Sequence, residues 1–240
     1  MLYQTNGSVY DCSGYCNNGS IIGNISYISP SPRYNNAIHF DGATNAINAG
    51  RNGMVKDAIT VAVWMHMDDW NNFGKCCGCI ESGGWGFYIG TVSSVIVPRW
   101  GINSFTSNNG TVTTASNSIN GNTVTHALNS LTGWHHFVGT FSNTAINFYI
   151  DGQQAGSSVT PTYSQIYTST KTSVFLGAEA SSNTSTPVWT GTSVLTDEIS
   201  MSDFRIYASA LTDNQVKELY NTSMAIDANG NVYARELVEE

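Results

Sequence analysis

Acid–base chemistry on a sugar or an ester needs two groups that face each other, and the acidic residues of this sequence are placed otherwise. Asp68-Asp69 and Asp197-Glu198 are adjacent pairs, and Glu81 is a lone acid near Trp85. A retaining glycosidase holds its two carboxyl groups about 5 Å apart. Neighbours on a strand point to opposite faces, so neither pair meets that need. His135-His136 obeys the same rule, with one imidazole on each face. A hydrogen-bonded, half-buried histidine suits such a position better than a catalytic one. No Gly-x-Ser-x-Gly, His-Glu-x-x-His or phosphate-loop sequence occurs, which removes three common catalytic frameworks. The sequence reads as non-enzymatic.

Sulfur chemistry is the next option. Five cysteines, Cys12, Cys16, Cys76, Cys77 and Cys79, fall in two clusters, and the odd number leaves at least one thiol unpaired within a monomer. Cys-x-x-x-Cys with Cys-Cys-x-Cys could supply zinc ligands, but neither half has the Cys-x-x-Cys spacing of a zinc knuckle. Free thiols buried as small apolar groups are the plainer reading.

Sugar recognition needs less machinery. The C–H face of a pyranose stacks on an indole or phenol while amides and carboxylates read its hydroxyls. Trp70, Trp85, Trp100, Tyr163 and Trp189 each stand beside Asn, Ser or Gly in loop-like sequence and are the candidate platform residues. A tryptophan after Gly83-Gly84 equally suits a core position at a bulge. Trp64 and Trp134, in mid-strand, are expected in the core.

The elements that must carry these residues are strands. Only 11% of the 240 residues are charged, against about 25% in an average globular domain. Polarity comes from Asn, Ser, Thr and Gly, which favour turns and solvent-facing strand positions. The net charge of −8, with nine Lys and Arg in all, argues against nucleic acid and anionic membrane as partners. No apolar stretch approaches the ~20 residues of a membrane-spanning helix. The start, MLYQTNGSVYDCSG, has neither the basic nor the apolar region of a secretory leader, so synthesis in a cytoplasm is expected.

Strand-like runs recur with turns between them. AIHF (37–40) runs into DGATN, and AITVAVWMHM (58–67) alternates Ile59, Val61, Val63 and Met65 on one face. GFYIG (86–90) and SSVIVPRWGI (93–102) follow, with Pro98 suggesting an edge or a strand end. The Ser/Thr/Asn-rich stretch 103–130 has room for one hairpin around Asn109-Gly110. The ribbon WHHFVGTFSNTAINFYIDGQ (134–153) alternates, turns, alternates again and reverses at Asp151-Gly152. KTSVFLGAE (171–179) and ISMSDFRIYAS (199–209) complete the strands. The one convincing helix lies near 212–220, with Thr212 and Gln215 in a capping box. After Thr222, two short runs flank Asp227-Ala-Asn229-Gly230, a hairpin signal.

Taken in order, these motifs resemble the laminin-G-like branch of the concanavalin A-like lectin/glucanase superfamily. They are Asp11 to Gly19 (DCSGYCNNG), Phe40-Asp41-Gly42, Trp134 to Gly152 and Asp203 to Leu211 (DFRIYASAL). The resemblance implies an all-β fold: a jelly-roll sandwich of two antiparallel sheets over residues 1–222, with 223–240 as a C-terminal appendage for assembly. Glucanases of that superfamily carry an E-x-D-x-E strand, which is absent here. Relatives hold a structural Ca²⁺ near the Phe-Asp-Gly turn, and calcium takes six to eight oxygen ligands. Asp11, Asp41, Asn45 and Asp203 are the matching donors, with Asp41 as a turn cap and Asp203 paired with Arg205 as the alternative. The C-terminal segment, with DWNNFGKCCGCIESGGWGFYIG (69–90), is similar to laminin-G-like proteins of tailed bacteriophages. The implied function is a non-catalytic lectin-like domain of a virion that contacts bacterial or environmental glycans. Its other partners would be virion proteins or copies of itself. A purely structural virion protein and a glycan-cleaving enzyme are the alternatives.

Overall fold

The computed structural model describes residues 2–5, 8–11, 13, 15–29, 31–32, 36–50, 57–67, 74–79, 84–92, 95–104, 115–119, 133–161, 164–166, 173–180, 186–188, 198–223, 225–226 and 232–233. Two antiparallel sheets dominate. The first has nine strands in the order β1 (Leu2–Thr5), β2 (Ser8–Asp11), β3 (Gly19–Ile22), β6 (Ala46–Asn48), β15 (Phe175–Leu176), β8 (Gly74–Gly78), β9 (Gly84–Val92), β10 (Val95–Ser104) and β11 (Ala115–Ile119). The second has seven: β14 (Gln153–Gln154), β13 (Ile146–Ile150), β12 (Gly133–Phe141), β7 (Ile59–Met67), β18 (Ile199–Tyr207), β5 (Ala37–Phe40) and β4 (Ser26–Ile28). Two short pairs, β16 (Glu179–Ala180) with β17 (Pro187–Val188) and β19 (Ala225–Ile226) with β20 (Val232–Tyr233), form two-stranded ladders of their own.

Strand parity builds the core. On β7, Ile59, Val61, Val63, Met65 and Met67 enter the main cluster with Phe137, Phe141, Ile146 and Phe148 from β12 and β13. Facing them from the first sheet are Ile47, Cys77, Trp85, Phe87, Trp100 and Ile102. The sheets touch through rings: Phe87 lies 6.5 Å from Phe137 and 6.0 Å from Phe148, centroid to centroid. This is the two-layer solution for strands with one apolar face.

The ribbon is a hairpin, paired from Phe137↔Ile150 to Phe141↔Ile146. Its second reversal joins β13 to β14 through Asp151 and Gly152, at φ 52° and 73°, the left-handed pair that a two-residue hairpin turn requires. Asn109-Gly110 lies outside the described residues, but β10 and β11 pair in hairpin register from Ser104↔Ala115 to Trp100↔Ile119. Pro98 is neither at a strand end nor on the sheet's outer strand; it pairs with Ile89 inside β10. Among the described residues β11 stops opposite Trp100, so no ladder donor is asked of Pro98 on that side.

The seven-stranded sheet is covered on its outer face too. The helix α1 (Asp213–Ser223) starts on the expected capping box: the Thr212 N–H donates to Gln215 Oε1 at 2.9 Å, and the Gln215 N–H donates back to Thr212 Oγ1 at 3.4 Å. Val216 and Leu219 bury against Ala62, Val138 and Tyr149. That third layer explains why β7 is buried on both faces except at His66.

Candidate functional site

Two of the expected platform residues, Trp85 and Trp100, are not where a sugar could reach them. Trp85 and Trp100 are both 0% exposed, lie in β9 and β10, and pack with tilted rings 5.9 Å apart inside the sandwich. Trp70, Tyr163 and Trp189 lie outside the described residues. Gly84, at φ 127°, explains the misplacement of Trp85: a Cβ there would sit 2.4 Å from Cys79 Sγ. The glycine marks a close approach to a buried thiol, in place of a loop. Trp134 departs from expectation in the other direction, being half-buried on the outer face.

The four proposed calcium ligands, Asp11, Asp41, Asn45 and Asp203, are each engaged in local hydrogen bonds. Among the described residues no three His, Cys, Asp or Glu side chains converge as a metal cluster, and each oxygen donor has its own local task. Asp41 Oδ1 accepts the N–H groups of Ala43 and Thr44 at 2.9 and 2.8 Å, and Oδ2 accepts the Thr44 hydroxyl. Asn45 Oδ1 accepts the Asp41 N–H at 3.0 Å, while its amide donates to the Asn24 carbonyl at 2.8 Å. Asp11 accepts from the Ser13 N–H, the Ser13 hydroxyl and the Asn17 N–H at 2.8, 2.7 and 3.0 Å. Asp203, at φ 49°, sits at the bulge of β18 and accepts from Arg205 Nε at 2.8 Å. N–H and hydroxyl donors thus occupy oxygens that a cation would need.

Burial opposes ionisation of Asp41, but the hydrogen bonds from Thr44, Ala43 and Asn45 outweigh it and hold the carboxyl at about 2. A depressed folded pKa contributes stability that is complete above the ordinary carboxylate range and is lost as pH falls toward 2. Allowing for solvent screening at this half-buried turn, the contribution is about 1 kcal/mol. Asp41→Ala is therefore expected to lower the urea midpoint at pH 7 equally with and without a calcium chelator, and to narrow the gap between wild type and variant near pH 2. A chelator-dependent gap would restore the metal reading.

Thiols and histidines are likewise absorbed by structure. Cys76, Cys77 and Cys79 are buried thiols outside any disulfide, and the Cys16 thiol is exposed. Burial pushes the Cys76 thiol up to about 12, the opposite of an activated nucleophile. His135 Nδ1 and Asp151 Oδ2 lie 2.6 Å apart, and Asp151 Oδ1 accepts the His136 N–H at 2.8 Å. One carboxylate thus clamps the hairpin reversal to the start of the ribbon. His136, 1% exposed, packs its ring against Trp64 and Tyr220 at 5.0 and 6.1 Å.

What remains is the outer face of the seven-stranded sheet, which α1 divides in two. Beyond the helix C-terminus, directly paired residues form one row across five strands: Trp134, His66, Ser200, His39 and Ser26. Direct partners share a face and stand about 5 Å apart. Trp134, His66 and His39 are half-buried and Ser26 is exposed; the Trp134 and His66 rings lie 5.4 Å apart. His39 Nδ1 is 3.1 Å from Ser200 Oγ, and His39 Nε2 is 3.5 Å from the exposed Glu198 carboxylate. Ser–His–Glu contacts of this kind invite comparison with a hydrolase. Ser200, however, is 3% exposed and paired on both sides in mid-sheet, with its neighbouring amides committed in the sheet plane. It has the surroundings of a hydrogen-bonding group, without those of a nucleophile.

At the other end, between the Ser142 turn and the start of α1, lies an open groove of 470 Å³. Neither feature was named by sequence reasoning. The available signal was strand parity, which puts Trp134 on the face opposite Phe137, whereas its mid-strand position suggests the core.

Comparison with known proteins now adds the ancestry. A family model described as the concanavalin A-like lectin/glucanases superfamily, laminin-G type, matches residues 41–217. The chain belongs to this superfamily. Among solved structures, this laminin-G-like chain is similar to the binding domain of Paraclostridial Mosquitocidal Protein 1, with TM-score 0.61 and 15% identity over 92% of this chain and 51% of that one. It is also similar to a structure of botulinum neurotoxin type C, a toxin described as interacting with two ganglioside molecules, with TM-score 0.60 and 14% identity over 94% and 51% of the two chains. A third is the botulinum neurotoxin serotype G binding domain, at TM-score 0.60 and 16% identity over 96% and 53%. The laminin-G-like chain spans about half the length of each of these structures. At such identities the likeness is one of fold. No curated protein sequence matches the chain.

Proposed function

We propose that this laminin-G-like domain is a non-catalytic glycan-binding module that reads sugars along the row Trp134–His66–Ser200–His39. The observation that carries the reading is a half-buried indole at the head of a cross-strand row of imidazoles and hydroxyls. An indole offers a pyranose C–H face a stacking surface, and the imidazoles, hydroxyls and Glu198 offer donors and acceptors to its hydroxyls. A flat strip of this kind suits a chain of sugars better than a single enclosed ligand. The superfamily contains lectins, and botulinum neurotoxin type C interacts with ganglioside, which supports a glycan as the ligand class.

Retention of the full-length protein on a glycan array tests this, with the Trp134→Ala and His39→Ala proteins run in parallel. Wild type should bind a definable set of glycans, and Trp134→Ala should bind the same set at least tenfold more weakly, about 1.4 kcal/mol. Circular dichroism of all three proteins should coincide. Equal retention of wild type and Trp134→Ala would remove the row from the reading; no retention of wild type would remove the glycan.

A further inference from the structure

The geometry points to a second, separate ligand site: the groove between the Ser142 turn and the N-terminal end of α1 takes a single uncharged polyhydroxyl unit, such as a neutral hexose residue. Its volume, 470 Å³, lies within the range of small-ligand sites, roughly 300–1,000 Å³. It stands apart from the row described above. Thr140 is six residues along β12 from Trp134, about 20 Å at the rise of a strand, and α1 lies over the sheet between them.

The walls define the ligand. Ser142 and Asn147 present hydroxyl and amide groups from the β12–β13 hairpin beside the buried Thr140, and Leu211 supplies an apolar side. The Asn147 amide donates to Thr140 Oγ1 at 3.4 Å, and its oxygen accepts from the Ser158 hydroxyl, so the amide is held in one orientation. The Tyr149 hydroxyl donates to Asp213 Oδ1 at 2.7 Å. Burial and the Asp213 charge both push the Tyr149 phenol upward, which keeps it a donor and leaves Asp213 an acceptor. Paired amide, hydroxyl and carboxylate groups beside an aliphatic wall suit alternating C–O–H and C–H surfaces.

Charge then narrows the class. Among the described residues the groove is lined by one acid, Asp213, and by no Lys, Arg or His. A helix start attracts anions through its free N–H groups, but here the first turn is already engaged. The Gln215 N–H goes to Thr212 Oγ1 and the Val216 N–H to the Thr212 carbonyl, and Asp213 places a negative charge at the helix start. A carboxylated sugar would meet Asp213 without a counter-cation. The groove therefore accepts neutral sugars and rejects uronates and sialic acids.

Amide chemical shifts of the full-length protein, titrated with methyl α-glucoside, N-acetylglucosamine, glucuronate and N-acetylneuraminate, test this. The two neutral probes should give saturable shifts at Ser142, Asn147 and Asn214 in the millimolar range, and the two acids at least tenfold weaker ones. Asn147→Ala should weaken the neutral probes at least fivefold. Asp213→Asn should raise the response to glucuronate, an effect that mere unfolding cannot produce. Saturable shifts confined to Trp134 and His66, an equal response to acids and neutral sugars, or no saturable response would each overturn the groove. The groove shifts are read separately from Trp134, so failure here leaves the glycan array result standing, and the reverse holds as well.

Discussion

Alanine at Phe137 or Phe148 is expected to cost about 3–5 kcal/mol in unfolding free energy. The two side chains are 1% and 0% exposed, stack on each other at 6.0 Å and 22°, and both touch Phe87 of the opposite sheet. Truncation removes the transfer free energy of a phenyl group and leaves a void between two sheets. Each sheet is tied by its own ladders and closes over such a gap only in part. Domains of this size are stable by roughly 5–15 kcal/mol, so either variant would lose a large share of the margin. The pair shares contacts, so the double variant should fall short of the sum of the single ones. Urea unfolding checks this: the midpoint should drop while the slope stays constant. Tyr15→Ala, at a site 82% exposed, is the matched control and should stay within about 0.5 kcal/mol of wild type. Neutral results at both phenylalanines would mean that the ribbon presents its other face to the core.

That parity was legible from the sequence because alternation is a local signal, and the same holds for the helix. Thr212 and Gln215 announce the capping box without any tertiary partner, and Asp151-Gly152 announces a left-handed turn. The outer row was not legible, because Trp134, His66, Ser200 and His39 come from four strands whose register is set by pairings far apart in sequence. Pattern alone could give the face of each residue but not its neighbours. Trp85 was misplaced for a related reason. A residue beside glycine looks loop-like, yet Gly84 is a glycine because a thiol presses against its backbone. Asp41 was legible as part of a turn, but the sequence does not show that the N–H groups of Ala43 and Thr44 converge on its Oδ1. The virion setting drew on the C-terminal motif, of which the described residues contain the β19–β20 hairpin. The toxin binding domains that share the fold lend that setting no support.

The second large effect is expected at Gly139, where a single methyl should cost about 3 kcal/mol, the upper end of what overpacking usually does. Gly139 lies in β12 opposite Val61 and Phe148, and nothing in its pairing calls for glycine. Its role is room. A Cβ built there would lie 2.1, 2.4 and 2.5 Å from three atoms of the Trp100 ring, closer than any side chain tolerates. The indole cannot step aside, because its Nε1–H donates to the Thr140 carbonyl at 3.2 Å and Phe87 and Trp85 stand 4.8 and 5.9 Å away. Gly139→Ala must therefore push the two sheets apart or displace a fully buried ring, and either move disturbs the phenylalanine cluster beside it. If the cost is the collision, removing the ring should relieve it. Trp100→Leu alone leaves a cavity, but combined with Gly139→Ala the new methyl occupies part of the vacated space. The double variant should then be more stable than the sum of the two single losses predicts, by more than about 1 kcal/mol. Strict additivity would place the burden of Gly139→Ala on the backbone, and the packing of glycine against indole would no longer account for the spacing of the sheets.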